Sequence, residues 1–344
     1  MTTPLSLPSA LPPVAVAAPR PAPRALPADA ADPGLAFHRL VFARRRSGWW
    51  TPLVTGAVGI AFYFAFLVMI VVAAVVAMLL NPDVAQWVLQ MTDSLEFDFA
   101  DPAMLAVMLG SIVLMLPAYV LASLLINGRR LGLISSVVGR LRWRWMLLCA
   151  GVALLVFVVS TAVSLLIPAD PSAGGAVLMP EDNPQLWWSL AVLIVLVPLQ
   201  ATAEEYVFRG YLQQAIGRWL RHPAFAILLP VPFFVLGHAY DLLGQTSVAV
   251  FAIVAGWLTW RTGGLEAGIA LHVVNNLLAF LLSLAGMSDV NDSSPGVADF
   301  VFSTVVTVAY AVIVELLVRR AHTRRTLVIP PSGQATSESA SIIV

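Results

Sequence analysis

Residues 186–209 read LWWSLAVLIVLVPLQATAEEYVFR. From Leu186 to Ala203 the run is apolar apart from Ser189, Gln200 and Thr202. That approaches the length of about 20 residues a membrane-spanning helix needs. Glu204, Glu205 and Arg209 follow at once, while a helical pattern continues to about Gly217. A charged side chain deep in a bilayer costs at least about 2.5 kcal/mol unless it lines a polar cavity or finds a partner. The stretch therefore argues for a bilayer as solvent and for a polar site held between helices.

The rest of the chain agrees. Hydrophobic residues make up 59% of 344 and charged residues 11%, with a mean hydropathy of +0.87. So few charges cannot clothe a soluble surface. The net charge of zero argues against nucleic acid as a partner. Cys149 is the only cysteine and sits in an apolar run, which excludes disulfides and cysteine metal sites and predicts a small core residue.

Eight stretches have spanning character: roughly 52–80, 103–126, 146–167, 186–217, 223–240, 246–261, 265–286 and 298–318. All the basic residues are Arg, and outside the N-terminal tail and the site they fall in alternate connections. Arg39, Arg44, Arg45 and Arg46 precede the first stretch. Arg129, Arg130, Arg140, Arg142 and Arg144 follow the second, Arg218 and Arg221 the fourth, Arg261 the sixth, and Arg319, Arg320, Arg324 and Arg325 the eighth. The other connections hold acids: Asp83, Asp93, Glu96, Asp98 and Asp101, then Asp170, Glu181 and Asp182, then Asp241, then Asp289, Asp292 and Asp299. The positive-inside rule predicts an all-α, polytopic, multi-pass protein of the cell membrane, with about eight transmembrane helices and both termini cytoplasmic.

Residues 1–46, rich in Pro and Ala, read as a disordered cytoplasmic tail ending in a basic cluster. Residues 47–320 form the helical membrane domain, with its motif-bearing core at 186–286, and 321–344 read as a second cytoplasmic tail. Trp49, Trp50, Trp143, Trp145, Trp187 and Trp188 at helix ends suit an aromatic belt. Leu131–Trp145 reads as an amphipathic helix on the membrane surface. Gly264 and Gly268 read as a small-residue packing pair, and Glu315 with Arg319 as a local ion pair.

Three places break the apolar pattern. Glu205 and Arg209 lie one turn apart and can pair along a helix face, while Glu204 points about 100° away. His238 stands near the end of the fifth stretch. His272 and Asn276, four apart, share a face of the seventh, with Asn275 beside them. Glu204 lies roughly 21 Å of helix from the turn near Arg218, and His238 roughly 24 Å beyond it, so the two reach similar depth. His272 lies only roughly 12 Å past Gly264, which calls for a tilted or broken seventh helix. Each residue alone has a packing explanation: an ion pair for Glu205 and Arg209, an interhelical hydrogen bond for a lone histidine. Together they point to a site.

Glu204-Glu205-x-x-x-Arg209, Phe234-x-x-x-His238 and His272-x-x-x-Asn276, in that order, resemble the three motifs of the CPBP family. That family includes the type II CAAX prenyl endopeptidases and bacteriocin-processing, Abi-like relatives. The resemblance covers roughly residues 186–286 and implies an intramembrane endopeptidase, of glutamic or metallo type, acting on membrane-associated or lipidated peptides and proteins. On the motif positions it implies Glu204 as general base, with His238 helping to position or deprotonate a water. His272 and Asn276 would stabilise the oxyanion, and Glu205 with Arg209 would support the site. No cofactor is preferred. Zinc, which takes three protein ligands and a water in catalytic sites, would fall to Glu204, His238 and His272, but the chain has no His-Glu-x-x-His helix. The rival readings are a non-catalytic membrane immunity or scaffold protein and a proton-coupled transporter; no inverted repeat supports the latter.

Overall fold

The computed structural model describes residues 26–94, 101–128, 131–164, 183–289, 291–321 and 323–329. Among these described residues thirteen α-helices follow in chain order: α1 Thr51–Leu80, α2 Pro82–Ser94, α3 Pro102–Val113, α4 Met115–Asn127, α5 Gly132–Ser135, α6 Trp143–Ser164, α7 Leu186–Glu205, α8 Gln213–Trp219, α9 Pro223–Leu228, α10 Val231–Leu236, α11 Leu242–Thr262, α12 Glu266–Leu284 and α13 Val297–Ala321. A π-helical segment, Tyr206–Leu212, joins α7 to α8 without a break in direction. Two short strands, β1 Leu35–Ala36 and β2 Thr326–Leu327, pair antiparallel, Leu35 opposite Leu327.

Among the described residues seven helical stretches are long and apolar enough to cross a bilayer: 51–80, 102–127, 143–164, 186–219, 242–262, 266–284 and 297–321. Their outward faces are Leu, Val, Ile and Phe, as lipid contact requires. This is a polytopic, multi-pass membrane protein. The fifth stretch of the sequence forms a shorter helical unit, Pro223–Leu236. It folds as α9 and α10, interrupted at Leu229-Pro230, because Pro230 and Pro232 lack the N–H groups a continuous helix would use. Its 14 residues reach about 21 Å against a hydrocarbon thickness of about 30 Å.

In the bundle, α1 packs on α4, α3 and α12 on α7, α6 on α12 and α13, and α11 on α10 and α13. Cys149, fully buried, lies in the core shared by α6, α10, α11, α12 and α13. Five of the six tryptophans at helix ends are exposed; Trp145 faces this core instead.

One end of the bundle departs from the sequence reading. Residues 1–25 lie outside the described residues, but 26–46 are folded. Leu35, Phe37 and Leu40 are buried with Val137, Leu265, Ile269 and Leu327 in one apolar cluster. The two strands tie this segment to residues 326–327, and Arg39 donates to the Gly217 carbonyl at 2.9 Å. Apolar side chains and backbone partners, supplied by segments distant in sequence, order a stretch that its Pro/Ala composition marks as tail. Nor is 131–145 a surface helix. After the four-residue α5, Ser136 bridges to Gly264, Val137 donates its N–H to the Gly263 carbonyl, and Ile134 and Val137 are buried. Glu96, Asp98, Arg129, Arg130, Asp170, Glu181 and Asp182 fall outside the described residues.

This cap explains the depth of His272. The turn between α11 and α12 is not at the surface. Gly263 closes α11 in the left-handed conformation (φ 73°), Leu265 donates its N–H to the Ser135 carbonyl, and Leu265 and Glu266 are fully buried. The start of α12 is thus sunk beneath the cap, and an unbroken helix carries His272 to the level of Glu204. Gly264 lies in this turn, outside α12, so it does not form a helix-packing pair with Gly268.

Candidate active site

The site forms where α7, α10 and α12 face one another. Glu204 and Glu205 close α7; Glu205 is fully buried, and Glu204 is 8% exposed. The π-helical segment begins at the next residue and carries Arg209. Such wide turns arise where an extra residue is accommodated in a helix and are frequent at functional sites.

Arg209, 3% exposed, donates from Nη1 to Glu205 Oε1 at 2.8 Å and from Nη2 to the Ala252 carbonyl at 3.2 Å. Its guanidinium lies 4.5 Å from the centroid of the Phe234 ring. The predicted one-turn pair is therefore present, and it is one arm of a larger array. His272 reaches the same carboxylate oxygen, with Nδ1 2.9 Å from Glu205 Oε1. An Arg-paired carboxylate accepts, so Nδ1 carries the hydrogen of that bond. Nε2 is thereby turned to Glu204, 3.5 Å from Oε2. That oxygen is buried and has no hydrogen-bond partner, and the same is true of Glu205 Oε2. The His272 ring thus spans two carboxylates, one anchored and one not.

The space for Glu205 comes from α12. A Cβ on Gly268 would lie 2.9 Å from Glu205 Oε2, too close for a real contact. Helix spacing suggests packing at this glycine, whereas its role is to admit a carboxylate.

His238 is half-buried one residue beyond the cap of α10. Its Nδ1 lies 2.9 Å from the Phe234 carbonyl. A carbonyl only accepts, so Nδ1 donates and Nε2 is left with its lone pair. Phe234 links the histidines: its ring centroid is 4.9 Å from that of His238 and 6.0 Å from that of His272. Phe251 closes on His272 at 5.0 Å. Asn276, one turn beyond His272, donates from Nδ2 to Gln200 Oε1 at 3.2 Å and accepts at Oδ1 from Asn275 at 3.0 Å. The structure adds Gln200, 4% exposed, to the residues read from sequence. Its one visible signal was a polar amide one turn before Glu204 in an otherwise apolar run.

The fit for zinc can be tested on these positions. Among the described residues no three of His, Cys, Asp and Glu gather as a metal site would require. Glu205 on Nδ1 leaves His272 Nε2 for Glu204 or a metal, as carboxylate-supported histidine ligands do, but His238 does not join Glu204 and His272 as the third ligand a catalytic zinc takes, as placed. What the array can do without one is hold a proton between Glu204 and His272 Nε2, beside amide donors from α12.

Comparison with known proteins falls on the same stretch. Residues 185–278 match the family described as Type II CAAX prenyl endopeptidase Rce1-like. The uncharacterized protein YyaK of Bacillus subtilis (strain 168) is 36% identical over 97 residues, covering 26% of this chain and 32% of that protein. The chain thus spans about a third of the length of this relative. No solved structure matches. The stretch that carries the site thus matches a family described as endopeptidases, in agreement with the resemblance of its three motifs to the CPBP family.

Proposed function

With an Rce1-like segment as the premise, we propose that this protein is an intramembrane endopeptidase of the cell membrane, both termini in the cytoplasm, that cleaves membrane-anchored or lipidated peptides and proteins. The observation that carries this reading is the His272 ring between two buried glutamates, anchored at 2.9 Å by Glu205 and 3.5 Å from the unpartnered oxygen of Glu204. Glu204 is the general base. It takes a proton from water as the water oxygen bonds to the scissile carbonyl carbon, and the proton passes to the leaving amine when the C–N bond breaks. His238, with Nε2 free to accept, helps to orient that water. His272, carrying a proton on Nε2, and the Asn276 amide donate to the oxyanion. Glu205 and Arg209 are positioning residues that fix the His272 ring, and Gln200 and Asn275 fix the plane of Asn276.

The test is cleavage of a panel of membrane-anchored peptides by protein purified in detergent, with and without a strong zinc chelator. The proposal expects cleavage that survives chelation and is lost in Glu204→Gln. Loss on chelation with recovery on adding zinc would contradict the metal-free base, and cleavage unaffected by Glu204→Gln would contradict the site.

A further inference from the structure

The bond between Glu205 and His272 joins two helices from distant parts of the chain, α7 with its π-helical extension and α12. One residue of the cap is bonded to both. Ser135, buried at the end of α5, has its Oγ 2.7 Å from the Tyr206 hydroxyl oxygen. Its carbonyl accepts from the Leu265 N–H at 2.9 Å. Tyr206 opens the π-helical segment and follows Glu205 directly. Leu265 caps α12, and His272 stands two turns further on, about 10 Å along the helix. The contacts close a ring: Ser135, Tyr206, Glu205, His272, the first two turns of α12, Leu265, and Ser135 again.

The hold of α5 on this helix is wider than one bond. A Cβ on Gly210 would lie 2.9 Å from Ile134 Cγ2, and Gln214 donates from Nε2 to the Leu133 carbonyl at 2.9 Å. Tyr206, Gly210 and Gln214, each four residues after the last, thus meet Ser135, Ile134 and Leu133 in turn. The neighbouring face is turned to α11, where Arg209 and Gln213 donate to the Ala252 and Gly256 carbonyls at 3.2 and 3.0 Å. The segment that grips the helix is itself fixed: a Cβ on Gly132 would run into the Gly139 carbonyl, and Ser136 bridges to Gly264. Such bracing matters because the site tolerates little sliding. A hydrogen bond of 2.9 Å is lost by about 3.5 Å, whereas a slip of one residue moves a helix by about 1.5 Å.

We infer that Ser135 and Tyr206 are positioning residues for the reaction. Through one hydroxyl–hydroxyl bond and one backbone bond they fix the register of α12 against α7. That register keeps His272 Nδ1 on Glu205 and turns Nε2 toward Glu204. The effect on rate rests on the peptidase reading above; the placement of the ring does not.

The test uses the full chain in detergent, labelled for nitrogen magnetic resonance on its histidine rings. The His272 Nδ1–H signal, assigned by its loss in His272→Gln, is expected far downfield in the wild type, as a bond to a carboxylate requires. Tyr206→Phe and Ser135→Ala each remove one hydroxyl and little volume. Both should move that signal upfield and speed its exchange with water. Both should also lower kcat on a membrane-anchored peptide by about tenfold with KM unchanged, as a displaced catalytic group implies. The double variant should fall no further than either single one, because each breaks the same bond. Glu266→Ala is the control for stability: it keeps both bonds of Ser135, so its His272 signal should stay in place. An unmoved signal, or an unchanged kcat per folded molecule, in both Tyr206→Phe and Ser135→Ala would overturn the inference. The signal is read without any peptide, so that result stands apart from failure of the peptidase reading, which Glu204→Gln decides.

Discussion

Buried carboxylates stand at two places along the first two turns of α12, Glu266 at its start and Glu204 with Glu205 around His272, and their surroundings differ. Glu266, at the start of the helix, is fully satisfied: Oε1 accepts from the Arg142 backbone N–H at 2.9 Å and from Nε at 2.8 Å, and Oε2 from Nη2 at 2.6 Å. The same guanidinium donates to the Thr262 carbonyl at 3.0 Å. Around His272 neither glutamate is complete; each keeps one buried oxygen without a partner. A saturated ion pair has nothing left to offer a substrate and serves to hold the cap on the bundle. An unsaturated one keeps a lone pair aimed at whatever enters. On the proposed reading, the comparison separates buried charge that builds the protein from buried charge poised to react, which sequence depth alone cannot do.

Several substitutions would break or sharpen that contrast. Glu204→Gln removes the base from the incomplete site while keeping its shape, and it is expected to lower the cleavage rate by about 10²–10⁴ with an unchanged unfolding midpoint. Glu266→Ala removes a fully buried carboxylate from the half-buried Arg142 guanidinium and should cost about 3 kcal/mol of stability, read in detergent unfolding, with turnover per folded molecule preserved. Equal damage to stability and turnover in both variants would erase the distinction. Gly268→Ala pushes a methyl group against Glu205 Oε2 and should lower the rate by about tenfold, a loss of about 1.4 kcal/mol from a displaced His272 anchor; an unaffected rate would show that Glu205 does not set the ring.

The smallest effect concerns the cap. His38 is 3% exposed, and its ring Nε2 donates to the Arg221 carbonyl at 3.0 Å. Burial holds its pKa below the ordinary 6.5; the Arg221 carbonyl opposes that shift, and neighbouring Arg39 adds to it. The unfolded segment therefore takes up a proton before the folded one does. The cap is fully docked above about pH 6.5 and loses stability as pH falls below it. Protection factors over residues 35–43, which correct for the intrinsic pH dependence of amide exchange, should fall on acidification in the wild type and stay flat in His38→Asn.

How much of this was legible beforehand follows from where the signals lie. The apolar runs and the alternating arginines are local features, and the structure has helices where those runs predict them. Glu204, Glu205, Arg209, His272 and Asn276 were legible because an ionisable or amide residue inside such a run has few explanations, and helical spacing placed them on usable faces. The cap was not legible. Leu35 pairs with Leu327, and Ser136 with Gly264, contacts that leave no periodic trace in either segment. Glu266 was overlooked because a carboxylate at a helix start looks solvated unless the turn before it is known to be buried. Gly268 illustrates the same limit, since helix spacing records the absence of a side chain and not the carboxylate that fills the space.

The most direct trial of the account is a paired cleavage measurement on one membrane-anchored peptide, with Glu204→Gln and Glu266→Ala compared to wild type at equal concentrations of folded protein. The account predicts that Glu204→Gln is folded and inactive, while Glu266→Ala, though less stable, cuts at close to the wild-type rate per folded molecule. Wild-type turnover in Glu204→Gln would contradict it.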